Sequence, residues 1–210
     1  MRLPHLLRAA LLVLVGTVRQ GRVTAVVDFA SDEARPLEAL SQPPRGPRAP
    51  AARPAQFRSM DLHAITEAPF ASDDDVHAVL DAFRAGALPR SAWNHRAHLT
   101  AALAFARALP TDDALTATRD AILRFNAAAG IVSTPDSGYH ETLTVFYMHV
   151  VAMHVVRYPA PTSIAADANA LVDAWGAKDL PLRHYTASRL FSRDARAHWT
   201  PPDLLPLPTA

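Results

Sequence analysis

The chain of 210 residues reads as an all-α protein: one bundle of about five helices with a short helix at its C-terminal end. Three observations predict this. Capping residues recur just before apolar-patterned stretches. Within those stretches apolar side chains return at i, i+3, i+4 and i+7. No segment alternates apolar and polar residues with a period of two, as a half-buried strand does.

The elements follow in order through residues 60–210, the expected domain. Ser72 with Asp75 forms a capping-box pattern, and Asp73 and Asp74 favour the positive end of the helix dipole. Val76, Val79, Leu80 and Phe83 then trace one apolar face, and Gly86 supplies a left-handed stop. Pro89 and Ser91 open a second helix running to about Leu109. Thr111 caps a third, with Asp112 and Asp113 in its first turn and Leu115, Ile122 and Phe125 directed inward. Residues 127–137, containing Gly130 and Pro135, form a loop. A fourth helix starts near Ser137 and runs to about Arg157. It is apolar nearly all round, as a central buried helix should be. Pro159 and Pro161 end it. Ser163 caps a fifth helix whose face is Ile164, Ala168, Leu171, Val172 and Trp175. A short helical stretch is expected over 188–198, followed by a Pro-rich tail.

Residues 1–59 are expected to be a non-globular arm outside this fold. Residues 41–55 are rich in Pro and Arg and too poor in apolar side chains to offset the entropy of ordering. An apolar run over 9–18 follows Arg2 and Arg8, as in a signal peptide, but it lacks an A-x-A cleavage site and is too short to span a bilayer. Three readings stand: a start-codon error with the native chain beginning at Met60, an export signal plus linker, or a disordered regulatory arm. A cytoplasmic location is expected, or export if the arm is a genuine signal.

Charge separates the two parts. The arm carries nine arginines against Asp28, Asp32, Glu33 and Glu38, which leaves the domain with twelve basic and sixteen acidic residues. A mildly acidic domain disfavours nucleic acid as a partner. The absence of cysteine excludes disulfides, thiolate zinc sites, iron–sulfur clusters and a thiol nucleophile. Lys178 is the only lysine and no phosphate-loop motif surrounds it.

Chemistry is carried by histidines. His95 and His98 lie in WNHRAHL, three residues apart and so on one helix face. His140 and Glu141 lie at the start of the fourth helix. If the second, third and fourth helices run up, down, up, these two starts share one end of the bundle. His95, His98 and His140 then supply three nitrogen ligands, or two plus a carboxylate, leaving room for water or substrate at a zinc or iron ion. Glu141, Tyr139 and His184 are the candidate catalytic side chains, and the 127–137 loop is a candidate lid. The positive helix ends oppose a dication and instead suit an anion. The alternative for these histidines is capping and packing. His149 and His154 continue a polar stripe down the fourth helix and either line a pocket or bond neighbouring helices.

The segments WNHRAHL, GYHETLT and YTASRLFSRDAR with PPDL resemble those of a group of small bacterial all-helical proteins of unknown function, with the likeness running from about Phe70 to Leu207. The resemblance implies the domain's extent and brings no established activity. Three functions remain open: a metal-dependent enzyme acting on a small molecule, a metal-free module binding a small anion or organic acid, and a structural helical protein.

Overall fold

Most helices begin where a short polar side chain meets an otherwise unpaired backbone N–H. In a computed structural model, residues 60–159 and 161–209 are described. The arm over 1–59 lies outside them. The described residues form eight α-helices and no strand. These are α1 (Leu62–Glu67), α2 (Asp73–Arg84), α3 (His95–Ala108), α4 (Thr111–Ala128), α5 (Glu141–Arg157), α6 (Ile164–Trp175), α7 (Ala187–Leu190) and α8 (Arg193–Ala197). Short 3-10 turns precede α3 (Arg90–Ala92) and α7 (Leu180–Arg183). None of the helices is long and apolar enough to cross a membrane.

Ser72 and Asp75 form the expected capping box on α2. Ser163 caps α6 and also donates 2.6 Å to Asp73 of α2, tying the two helix starts together. Other boundaries differ from those the sequence suggests. α3 begins at His95, because Asn94 turns back to accept from the N–H of Ala97 at 3.1 Å and the chain before it makes a 3-10 turn. Pro110 holds the cap position of α4, so Thr111 is its first helical residue. The stretch over 188–198 is two short helices, because Ser192 starts α8 by accepting from Ala195. α1, capped by Asp61, was not anticipated, since six residues are too few for a periodic signal.

Helix α5 begins at Glu141 and not near Ser137. Gly138 has φ +82°, a conformation that ordinary side chains rarely adopt, and it breaks the helical path. A Cβ there would stand 2.7 Å from Ser133 Cα and 2.9 Å from Ser133 Oγ. Gly138→Ala is therefore expected to cost about 1–3 kcal/mol. Urea unfolding should show a lowered midpoint with an unchanged slope. A midpoint equal to wild type would mean that the loop relaxes freely at this position.

The core sits where α3 packs between α4, α5 and α6, centred on Leu99, Leu103, Leu115, Phe125, Val151 and Leu171, each at most 2% exposed. Burying one such side chain contributes about 1.5–3 kcal/mol. The other side of α5 is also covered. Phe146 and Val150 pack on Leu180, Tyr185 and Leu190 of the C-terminal segment. That second covering explains why α5 is apolar nearly all round. The Pro-rich tail is strapped down by α5 and its neighbours: His149 Nε2 donates to the Pro208 carbonyl at 2.8 Å, and Tyr185 donates to that of Thr200 at 2.9 Å.

Candidate functional site

The starts of α3 and α5 border one cavity of about 490 Å³, large enough for a small organic molecule. Its apolar wall includes Trp93, Leu99, Ile122, Ile131, Leu143 and Met148. Its polar wall includes His95, His98, His140, Tyr139, Thr118 and Asn126. Ile131 and Gly138 bring the loop before α5 to its edge. Among the described residues no carboxylate lines it, and Arg90, itself exposed, is its charged member.

The three expected imidazoles therefore meet at one end of the bundle, but they are not equivalent. His140 is the N-cap of α5: its Nδ1 accepts from the N–H of Leu143 at 3.3 Å. Its Nε2 donates to the Leu190 carbonyl at 3.0 Å. Both ring nitrogens are thus engaged, which leaves no lone pair for an ion. Burial, with Arg196 nearby, lowers its pKa.

His98 differs. Its Nδ1 lies 2.7 Å from the Asn94 carbonyl, which can only accept, so Nδ1 carries the proton. Nε2 is left unprotonated, with no hydrogen-bond partner among the described residues. The ring lies against Trp93 at 3.8 Å between centroids, and Trp93 in turn stacks on Phe83 and packs on Phe125. Burial is the main reason that its pKa is pushed down to about 4, so the ring is neutral near pH 7. His95, one helical turn earlier, packs edge-on against Tyr147 at 4.9 Å. Its pKa is also lowered, by burial and then by Lys178. His95 Nε2 and Thr118 Oγ1 are shielded from water and have no partner among the described residues. Each such atom costs about 1–3 kcal/mol unless something else meets it.

Glu141 and Tyr139 stand beside the cavity in a network of their own. Arg119 of α4 donates to both Glu141 oxygens, from Nε at 3.0 Å and from Nη2 at 2.5 Å. Tyr139 donates to Glu141 Oε2 at 2.6 Å. The carboxylate is buried and committed to these partners, and it does not reach the cavity wall. Burial, reinforced by the Glu141 charge, raises the Tyr139 pKa, so its phenol keeps its proton. His184 lies away from the cavity: its Nδ1 donates 2.6 Å to the Pro206 carbonyl of the tail, and its ring packs on Phe146. Among the described residues no group of three or more His, Asp or Glu side chains is placed to hold a metal ion.

Sequence reasoning missed the partners Arg119, Asn126 and Thr118. Arg119 left a signal: it falls four residues after Leu115 and three before Ile122, on an otherwise inward-facing stripe. An arginine there requires a buried acceptor. No family model, no curated protein and no solved structure matches this chain.

Proposed function

We propose that this chain binds a small organic molecule in the cavity between the starts of α3 and α5, without a resident metal, and that His98 is the side chain that acts on it. One observation carries the reading: a tautomer-fixed, neutral imidazole, whose Nε2 has no hydrogen-bond partner among the described residues, lines a cavity of ligand size. A neutral imidazole of this kind accepts a hydrogen bond or takes a proton from a bound molecule.

The test is a thermal-shift screen of a small-molecule library on the full chain, repeated on Ala102→Phe. Ala102 is buried and lines the cavity, so the larger ring occupies its volume. Hits that raise the midpoint of the wild type and fail on the variant support the reading. A screen without hits, or hits indifferent to the variant, overturns it.

A second reading is favoured by one specific contact. Nδ1–H bonded to a backbone carbonyl with Nε2 open is also how metal-ligating histidines are oriented. In a metal-dependent enzyme, His95 and His98 would then be the protein donors, completed by water or substrate at zinc or iron. Elemental analysis of protein purified without a histidine tag separates the two readings. Near-stoichiometric metal that is lost in His98→Ala establishes the second, and metal-free protein with intact ligand binding establishes the first.

A further inference from the structure

The chemistry of the cavity wall restricts what it can hold. A positively charged ligand meets no carboxylate there among the described residues, because Glu141 is occupied by Arg119 and Tyr139 behind the wall. An isolated cation in such a place lacks compensation for its lost hydration. A full anion fares little better. The unprotonated Nε2 of His98 presents a lone pair, and Arg90 is exposed, so its charge is largely spent on solvent.

The same wall suits an uncharged molecule that donates a hydrogen bond. His98 Nε2 is an acceptor whose direction is fixed twice, by the Asn94 carbonyl on Nδ1 and by the Trp93 ring beside it. Asn126, buried at 6% exposure, also lines the cavity, and its carboxamide makes no hydrogen bond within the described residues. It offers both a donor and an acceptor. Trp93, Leu99 and Ile122 supply apolar surface for the rest of the molecule.

Resting on the small-molecule reading above, we propose that the ligand is an uncharged, largely apolar molecule bearing a hydroxyl or N–H group, whose proton is accepted by His98 Nε2. The substrate class is thus a phenol, alcohol or amide and excludes carboxylates and amines that are charged at neutral pH. No bond is made or broken in this recognition step; the donor's proton is shared with the imidazole.

Four probes of one size test it by calorimetry on the full chain near neutral pH: 2-naphthol, 2-methoxynaphthalene, 2-naphthoate and 2-naphthylmethylamine. The expected result is that 2-naphthol binds at least about tenfold more tightly than its methyl ether, because the ether leaves Nε2 unpaired. His98→Phe should erase that advantage, so that naphthol and its ether bind the variant equally. Equal binding of naphthol and ether, or tightest binding of either charged probe, overturns the proposal. If the four probes still compete with each other and fail on Ala102→Phe, the small-molecule reading stands and only the ligand class is wrong. If none of the four binds, this ligand class falls, and the library screen on wild type and Ala102→Phe decides the small-molecule reading separately.

Discussion

Replacing Asp167 by alanine is expected to lower the unfolding free energy by about 3–5 kcal/mol. Asp167 lies in the first turn of α6, yet it is 5% exposed. Its Oδ2 accepts from Arg107 Nε at 2.9 Å, and its Oδ1 accepts from Arg107 Nη2 at 2.9 Å and from His154 Nε2 at 2.8 Å. One carboxylate therefore ties α3, α5 and α6 together. Alanine would leave a guanidinium and an imidazole facing each other, and His154 Nδ1 already lacks a partner among the described residues. The penalty comes from these stranded groups more than from the lost attraction itself. A domain of this size holds only about 5–15 kcal/mol in total, so Asp167→Ala sits near the limit of folding. Asp167→Asn, which keeps the shape and one acceptor, is expected to fall between it and wild type. The triple replacement Arg107→Met, Asp167→Leu, His154→Phe should recover most of the loss, since no polar group is then left unpaired. Urea midpoints at constant slope check all three. A loss below about 1 kcal/mol for Asp167→Ala would show that the network is solvated in solution.

The same network shows what the sequence could and could not disclose. Local signals were readable. Ser72 and Ser163 cap where a short polar side chain precedes an apolar stripe, and the long helices fall where the spacing places them. Pairings across the fold were not. Asp167 looks from the sequence like an ordinary acidic residue favouring a helix start, and its partner Arg107 lies 60 positions away. A faint sign existed, because Arg107 continues the line of Leu99 and Leu103 at four-residue steps and so had to meet a buried acceptor. At the site, the meeting of His95, His98 and His140 followed from counting helices up and down. The difference between them did not. Each ring gives its proton to a carbonyl, that of Leu190 for His140 and that of Asn94 for His98, and the difference lies in the other nitrogen: Nδ1 of His140 accepts from the N–H of Leu143, whereas Nε2 of His98 meets no donor among the described residues. Leu190 is 50 residues away and came from a segment expected to be one continuous helix. The position of His184 away from this cavity was hidden for a related reason. Its partner is a carbonyl of the Pro-rich tail, which carries no periodic signal of where it docks.

Acidification is expected to remove stability through His98, by up to about 3 kcal/mol between about pH 7 and about pH 4. The sign follows from which state takes up the proton. In the unfolded chain the imidazole titrates near its ordinary value of 6.5, whereas in the folded protein burial holds it down to about 4. Below the ordinary value the unfolded state therefore binds protons that the folded state refuses, and falling pH favours unfolding. The loss is complete once the pH falls below the folded value, since both states are then protonated. His95, His140 and His149, all lowered chiefly by burial, act with the same sign. Asp120, whose pKa is raised by burial, acts with the opposite sign. His98→Phe isolates the largest contribution. A phenyl ring can occupy the place against Trp93, and the Asn94 carbonyl still accepts from the backbone N–H of residue 98 at 3.0 Å. Urea unfolding of the two proteins across this pH range should give a distinctly flatter curve for the variant. Parallel curves would mean that His98 takes up a proton in the folded state as easily as in water. Such an imidazole would be cationic in mild acid, and its Nε2 would no longer be an acceptor. The expected acid sensitivity of the fold and the open lone pair in the cavity thus have one cause: a ring kept neutral by burial, with its single proton already given to a backbone carbonyl.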